Sequence, residues 1–157
     1  TYITKELPKL IEENFDFDMS RQSIFGHSMG GHGALVIALR NSTKYKSCSA
    51  FAPIVEPISA SWSSEAFKKY IGPDRFAWEL YDSVSLVKNG YVFPEILIDQ
   101  GEADDFLNEG LKPWLFSEAC NNTSINLQLR MQPNYDHSYY FISTFMEEHL
   151  VWHRERI

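Results

Sequence analysis

Apolar residues recur along this 157-residue chain in two alternating rhythms. Ile3, Leu7, Leu10, Ile11 and Phe15 fall near helical spacing with charges between them, which predicts an amphipathic helix that bends or restarts at Pro8. The short apolar run "SIFGHS" follows, and then "GGHGALVIALRN", rich in small residues and helical in period. "SCSAFAP" reads as a second short strand closed by Pro53. From Ile54 to Asn89 the pattern is mixed, with Ser, Trp and short helical signals. "EILIDQG" predicts a third strand followed by an acidic loop, and "PWLFSEACNN" predicts a helix. "INLQLRM" alternates as a fourth strand, and "SYYFISTFMEEHLVWHRER" predicts a long closing helix.

Strands separated by helices of this length pair in parallel through right-handed crossovers. The chain therefore reads as a single α/β domain over residues 1–157, a mostly parallel sheet flanked by helices. Residues 54–89 would form an insertion over the site, since loops beyond the strand ends of an open α/β sheet select ligands. Trp62, Phe67, Tyr70 and Trp78 in that stretch are expected either in the core or around a pocket. "SIFG" comes first among the strands yet looks buried on both faces, as central parallel strands are. A bare edge there would invite aggregation, so more sheet is expected on that side. That makes the chain the C-terminal part of a longer domain, lacking N-terminal strands.

Composition narrows the function classes. A net charge of -7 argues against a phosphate-binding surface, and so against nucleic acid as a partner. "ALVIAL", the longest apolar run, falls far short of the roughly 20 residues that cross a bilayer. No membrane partner is expected. Cys48 and Cys120 fall in a strand and a helix, which predicts two buried free thiols and a reducing compartment. The sequons starting at Asn41, Asn121 and Asn122 are read as chance tripeptides.

Candidate chemistry concentrates where the first strand meets its helix. Gly26-His27-Ser28-Met29-Gly30 satisfies G-x-S-x-G, in the strand-to-helix setting that a nucleophile elbow requires. Both flanking glycines are expected to relieve clashes at the strained turn, and Gly31, Gly33 and Ala34 to let the helix pack closely on the sheet. Ser28 would raise its hydroxyl above the sheet, with the backbone N–H of Met29 facing a developing oxyanion at the helix N-terminus. A phosphate loop is excluded, because His32 and Gly33 stand where Lys and Ser/Thr would be needed.

A serine hydroxyl needs a base, and the base needs a carboxylate to orient it, in the chain order Ser, acid, His for this elbow. "ILIDQGEADDFL" offers Asp104 and Asp105 directly after a strand, with Asp99 and Glu102 less well placed. His137, in "PNYDHSYY" between the fourth strand and the last helix, is the candidate base. His149 and His153 lie four apart on the closing helix without a third ligand, so they and His27 and His32 are read as structural; no metal site is expected.

Taken together, "FGHSMGGHGAL", "KYKSCSAFAPI", "LVK", "ILIDQGEADDFL" and "YDHSYYFI" resemble the S-formylglutathione hydrolase family, also called esterase D, over nearly the whole chain. The resemblance implies the α/β-hydrolase fold and a triad of the elbow serine, the third residue after "DQG" and the histidine of "YDHS". Those are Ser28, Asp104 and His137, so the resemblance chooses Asp104 over Asp105. It further implies a cytoplasmic enzyme without cofactor, frequently a homodimer. The implied reaction takes a glutathione thioester, S-formylglutathione, to glutathione and formate in formaldehyde detoxification, with side activity on short acyl esters. The family carries a substantial N-terminal half that would hold the second oxyanion donor. Two rivals remain: a general short-chain carboxylesterase or acyltransferase using the same residues, and a non-catalytic hydrolase-like binding module.

Overall fold

The computed structural model of the protein describes residues 2–157. Four parallel strands form one sheet in sequence order: β1 (Ile24–His27), β2 (Cys48–Phe51), β3 (Glu95–Gly101) and β4 (Asn126–Gln132). All four expected strands are present. Around them run α1 (Leu7–Asn14), α2 (Met29–Arg40), α3 (Ser61–Tyr70), α4 (Arg75–Glu79), α5 (Ser83–Lys88), α6 (Pro113–Cys120) and α7 (Tyr139–Arg154). Pro8 sits in the first turn of α1, where its missing N–H costs nothing, and a π-helical turn, Tyr2–Glu6, precedes it. Asp82 caps α5 by accepting from the Ser85 N–H at 2.8 Å. Among the described residues no helix is long and apolar enough to cross a membrane.

Strand periodicity divides the core between the two faces of the sheet. Cys48, Ala50, Ile96 and Ile98 point into one apolar cluster with Leu35 and Leu39 of α2, Leu86 of α5 and Phe116 of α6. On the opposite face Phe51 packs with Phe141 of α7, Ile54 and Leu111. Both cysteines are free and buried, and burial pushes the Cys120 thiol up to about 12. β1 shows the open side on which more sheet is expected. It is an edge among the described strands, bonded only to β2, and Phe25 is 43% exposed.

Polar groups as well as apolar ones fasten α7 to the sheet. His149 bonds the Asp99 carboxylate through Nε2 (2.9 Å) and the Ser49 hydroxyl through Nδ1 (2.8 Å). Ser49 meets His153 Nε2 (2.8 Å), His153 Nδ1 meets Ser47 (2.7 Å), and Ser47 meets Ser23 (2.6 Å). A carboxylate can only accept, so one direction satisfies the whole chain: each hydroxyl donates toward α7 and each imidazole donates from Nε2. Arg130 and Gln132 of β4 complete the shell of Asp99. Burial alone would raise the Asp99 pKa, but hydrogen bonds from His149, Arg130 and Gln132, with the Arg130 charge, hold it below the ordinary carboxylate range.

His153 carries a consequence for pH. Burial, reinforced by the electrostatic influence of His149 and the Arg156 charge, lowers its pKa to about 4. In an unfolded chain the imidazole titrates near 6.5, so between about pH 6.5 and pH 4 only the unfolded state takes up the proton. Stability is therefore expected to fall with pH across that window, by on the order of 3 kcal/mol. Urea unfolding measured from pH 7 to pH 4 should show this slope, and His153→Gln should flatten it. An equal slope in the variant would contradict the assignment.

Candidate active site

Ser28 stands between β1 and α2 with φ 56° and ψ -114°, a left-handed conformation that side chains rarely adopt. Its N–H donates to the Phe51 carbonyl (2.9 Å), and its own carbonyl accepts from the His32 N–H (2.9 Å). The turn is thus tied at once to β2 and to the first turn of α2. A Cβ on Gly26 would lie 2.3 Å from the Gly30 carbonyl oxygen, so strand and helix can meet this closely only with glycine there. Gly31 is nearly as confined, 3.0 Å from Pro53 Cβ. The roles expected of Gly30 and Gly33 are not found: a Cβ on either meets nothing within 4 Å among the described residues. The clash belongs to the residue two before the serine, whose missing Cβ faces the Gly30 carbonyl.

Asp104 lies three residues beyond β3, its side chain fully buried. Its Oδ2 accepts from His137 Nδ1 (2.6 Å) and Gln100 Nε2 (3.1 Å), and its Oδ1 from the Phe106 N–H (2.9 Å). Asp105 and Glu102 are exposed, and Asp99 is committed to His149 and Arg130. Of the four acidic candidates, Asp104 is the one bonded to His137. With Nδ1 donating to a carboxylate, the ring's Nε2 is the position left to act as base.

Backbone packing brings the two loops together. Gly101 ends β3, and a Cβ there would fall 2.3 Å from the Tyr135 carbonyl oxygen. The Ala103 N–H donates to that same oxygen (2.9 Å), and the Glu102 N–H donates to the Gln132 carbonyl (3.0 Å). The acid loop and the histidine loop are therefore zipped backbone to backbone before the side chains meet. No sequence pattern had singled out Gly101 for this task.

Aromatic rings frame the histidine. Phe106 meets the His137 ring edge-on with centroids 5.1 Å apart, and the His27 ring lies 4.5 Å from it. Burial, with the nearby His137 charge second, lowers the His27 pKa and favours its neutral form. Ser28 and His137 open onto one cavity of about 280 Å³, otherwise lined by Met29, Trp62, Phe106 and Leu111. Trp62 lies over Gly110, where a Cβ would come within 2.7 Å of the indole ring. Gly110 belongs to a π-helical turn, Leu107–Leu111, that replaces part of the expected loop. Of the four aromatics expected in the core or around a pocket, Phe67 and Trp78 are buried, Trp62 lines this cavity, and Tyr70 is 89% exposed. A separate hollow of about 510 Å³ beside α1 shares none of these residues. No cluster of three metal-ligating side chains occurs among the described residues.

Comparison with known proteins gives a consistent result. A family model described as "Putative esterase" matches residues 1–152. The S-formylglutathione hydrolase of Arabidopsis thaliana is 52% identical over 158 residues, which cover 99% of this chain and 56% of the plant protein. That of Bos taurus is 52% identical over 156 residues, covering 98% of this chain and 55% of the bovine one. The solved structure of an S-formylglutathione hydrolase from Agrobacterium tumefaciens matches with a TM-score of 0.97 at 66% identity, over 99% of this chain and 56% of that chain. The chain thus spans about half the length of the curated relatives it matches. A ferulic acid esterase, 21% identical with a TM-score of 0.76, shares the fold. The chain belongs to the esterase family, in the branch of the α/β-hydrolases that holds the S-formylglutathione hydrolases.

Proposed function

We propose that Ser28, His137 and Asp104 are the triad of a serine thioesterase that hydrolyses S-formylglutathione to glutathione and formate. The observation that carries the reading is the 2.6 Å bond between Asp104 and His137, set beside a cavity that the strained Ser28 also borders. The relatives that match nearly the whole chain at 52% identity supply the substrate.

In this reading His137 Nε2 takes the proton as Ser28 Oγ attacks the thioester carbonyl. Asp104 holds the ring and stabilises the imidazolium. The oxyanion forms against the backbone N–H of Met29 at the start of α2, where the helix dipole favours negative charge. The carbon–sulfur bond breaks, glutathione leaves with the proton from His137, and formyl-Ser28 remains. Water then attacks the formyl carbon with His137 again as base, the bond from that carbon to Ser28 Oγ breaks, His137 returns its proton to Oγ, and formate departs. A thiolate leaves readily, so stabilising the oxyanion matters more than protonating the leaving group. Residues 54–89 act as an insertion over the site of a single domain, a role supported by Trp62 in the cavity wall. A cytoplasmic setting and a homodimer belong to the same reading, and the two free buried thiols are in keeping with a reducing compartment.

One observation favours a broader acyl range. The apolar lining of the cavity, Trp62, Phe106, Leu111 and Met29, offers more room than a one-carbon formyl group fills. The second reading is therefore a short-chain carboxylesterase with the same triad. Comparing kcat/KM for S-formylglutathione with that for short acyl esters separates the two: no preference for the glutathione thioester rejects the first.

Three substitutions test the triad in the protein at its full natural length. Ser28→Ala should lower kcat for S-formylglutathione by about 10⁴–10⁶-fold. Asp104→Asn keeps the size of the side chain but can force the wrong tautomer on His137, and should cost about 10⁴-fold in kcat. Retention of activity in either variant contradicts the assignment. Gly101→Ala should lower both thermal stability and kcat, the former by about 1–3 kcal/mol, because the histidine loop must shift away from the new methyl. A fully active variant of unchanged Tm would show that the close approach at Gly101 does not hold the loop.

A further inference from the structure

The buried side chain of His149 lies outside the proposed triad, yet it contacts β2, whose Phe51 holds the Ser28 backbone, and it sits on α7, the helix that follows His137. The His149 ring stacks on Phe51 with centroids 3.8 Å apart and planes 21° from parallel. Phe51 ends β2, and its carbonyl accepts the N–H of Ser28. The Phe51 ring also meets Phe141 edge-on, with centroids 5.8 Å apart and planes 85° from parallel. Phe141 is in the first turn of α7, four residues after His137, and is fully buried. Phe51 therefore contacts the nucleophile's backbone on one side and the helix behind the base on the other.

His149 fixes this contact in direction as well as distance. Its Nε2 donates to Asp99 and its Nδ1 accepts from Ser49, two residues before Phe51 on the same strand and face. The Asp99 carbonyl in turn accepts the N–H of Ala52, next to Phe51. Stacking alone would let α7 slide over the phenyl face, whereas two hydrogen bonds at opposite ends of one ring define a single register. A shift of α7 carries the histidine loop with it, because His137 is separated from the helix only by its N-cap, Ser138.

We propose that His149 is a positioning residue that, through its stack on Phe51 and its bonds to Asp99 and Ser49, sets α7 in the register that holds His137 opposite Ser28. The inference rests on the catalytic reading above. It differs from a purely structural role in one respect. A stability device can be weakened without changing the rate of the folded enzyme, whereas a positioning device cannot, since a misplacement of about 1 Å costs about 100-fold.

The test compares His149→Gln, which can keep a bond to Asp99 but loses the ring, with Phe51→Leu, which keeps an apolar side chain but loses the aromatic face. Val87→Ala, in the core on the opposite face of the sheet, is the stability control. kcat and KM for S-formylglutathione are measured on the protein at its full natural length, well below each variant's Tm. His149→Gln and Phe51→Leu should each lower kcat by about 100-fold with KM within about twofold, while Val87→Ala, at a comparable loss of Tm, keeps kcat within about twofold. If His149→Gln does not fold, Phe51→Leu alone decides. A folded variant of either kind with the kcat of the control overturns the proposal. Ser28→Ala is run alongside: if it stays active, the catalytic reading itself has failed, and that outcome is distinct from a failure of His149 alone.

Discussion

Two loops meet at the carboxyl end of β3 because Gly101 has no side chain. The chain after β4 crosses that residue so closely that a single methyl group would collide with the Tyr135 carbonyl. Backbone hydrogen bonds from Glu102 and Ala103 then lock the crossing. The pairing of acid and histidine follows from it. Asp104 is carried inward beneath the second loop, where Gln100 and the Phe106 N–H satisfy its carboxylate, and His137 arrives two residues after the crossing with Nδ1 in reach. A charged group in so enclosed a position needs its partners ready, since an unpaired buried carboxylate would be strongly penalised.

A parallel constraint operates at the other end of the site. Gly26 lets β1 and α2 approach within the space of one missing Cβ, and the strain this imposes appears as the positive φ of Ser28. The strain is held by bonds to Phe51 on the neighbouring strand and to His32 one turn along α2. Both halves of the site are thus built the same way, from a glycine at a strand end and a backbone bond across the gap. Rings then fill what remains, with Phe106 and His27 against His137 and Trp62 resting on Gly110.

Much of this was legible in the chain itself. The alternation of "INLQLRM" and the small-residue helix after "SIFGHS" identified their elements, because period and flanking Gly or Pro express local preferences that tertiary packing here leaves alone. Ser28 and His137 could be singled out from their places at strand ends. Spacing left Asp104 and Asp105 equivalent, and the family motif chose between them. Only the fold separates them physically, burying one and exposing the other. What could not be read is what depends on distant partners. Gly101 and Gly110 look like ordinary loop glycines until Tyr135 and Trp62 arrive from elsewhere in the chain. His149 and His153 suggested nothing beyond structural residues, and the continuous line they form with Ser49, Ser47 and Asp99 exists only once α7 lies on the sheet. The opposite occurred at Gly30 and Gly33, where local pattern suggested confinement that the packing does not impose.

The account stands on Ser28 being an activated nucleophile. The most direct measurement is mass spectrometry of the protein at its full natural length after reaction with a fluorophosphonate, with peptide mapping of the adduct. A single phosphonyl group on Ser28, absent from a His137→Gln variant, is the predicted result. An adduct on a different serine, or unaltered labelling when His137 is replaced, would contradict it.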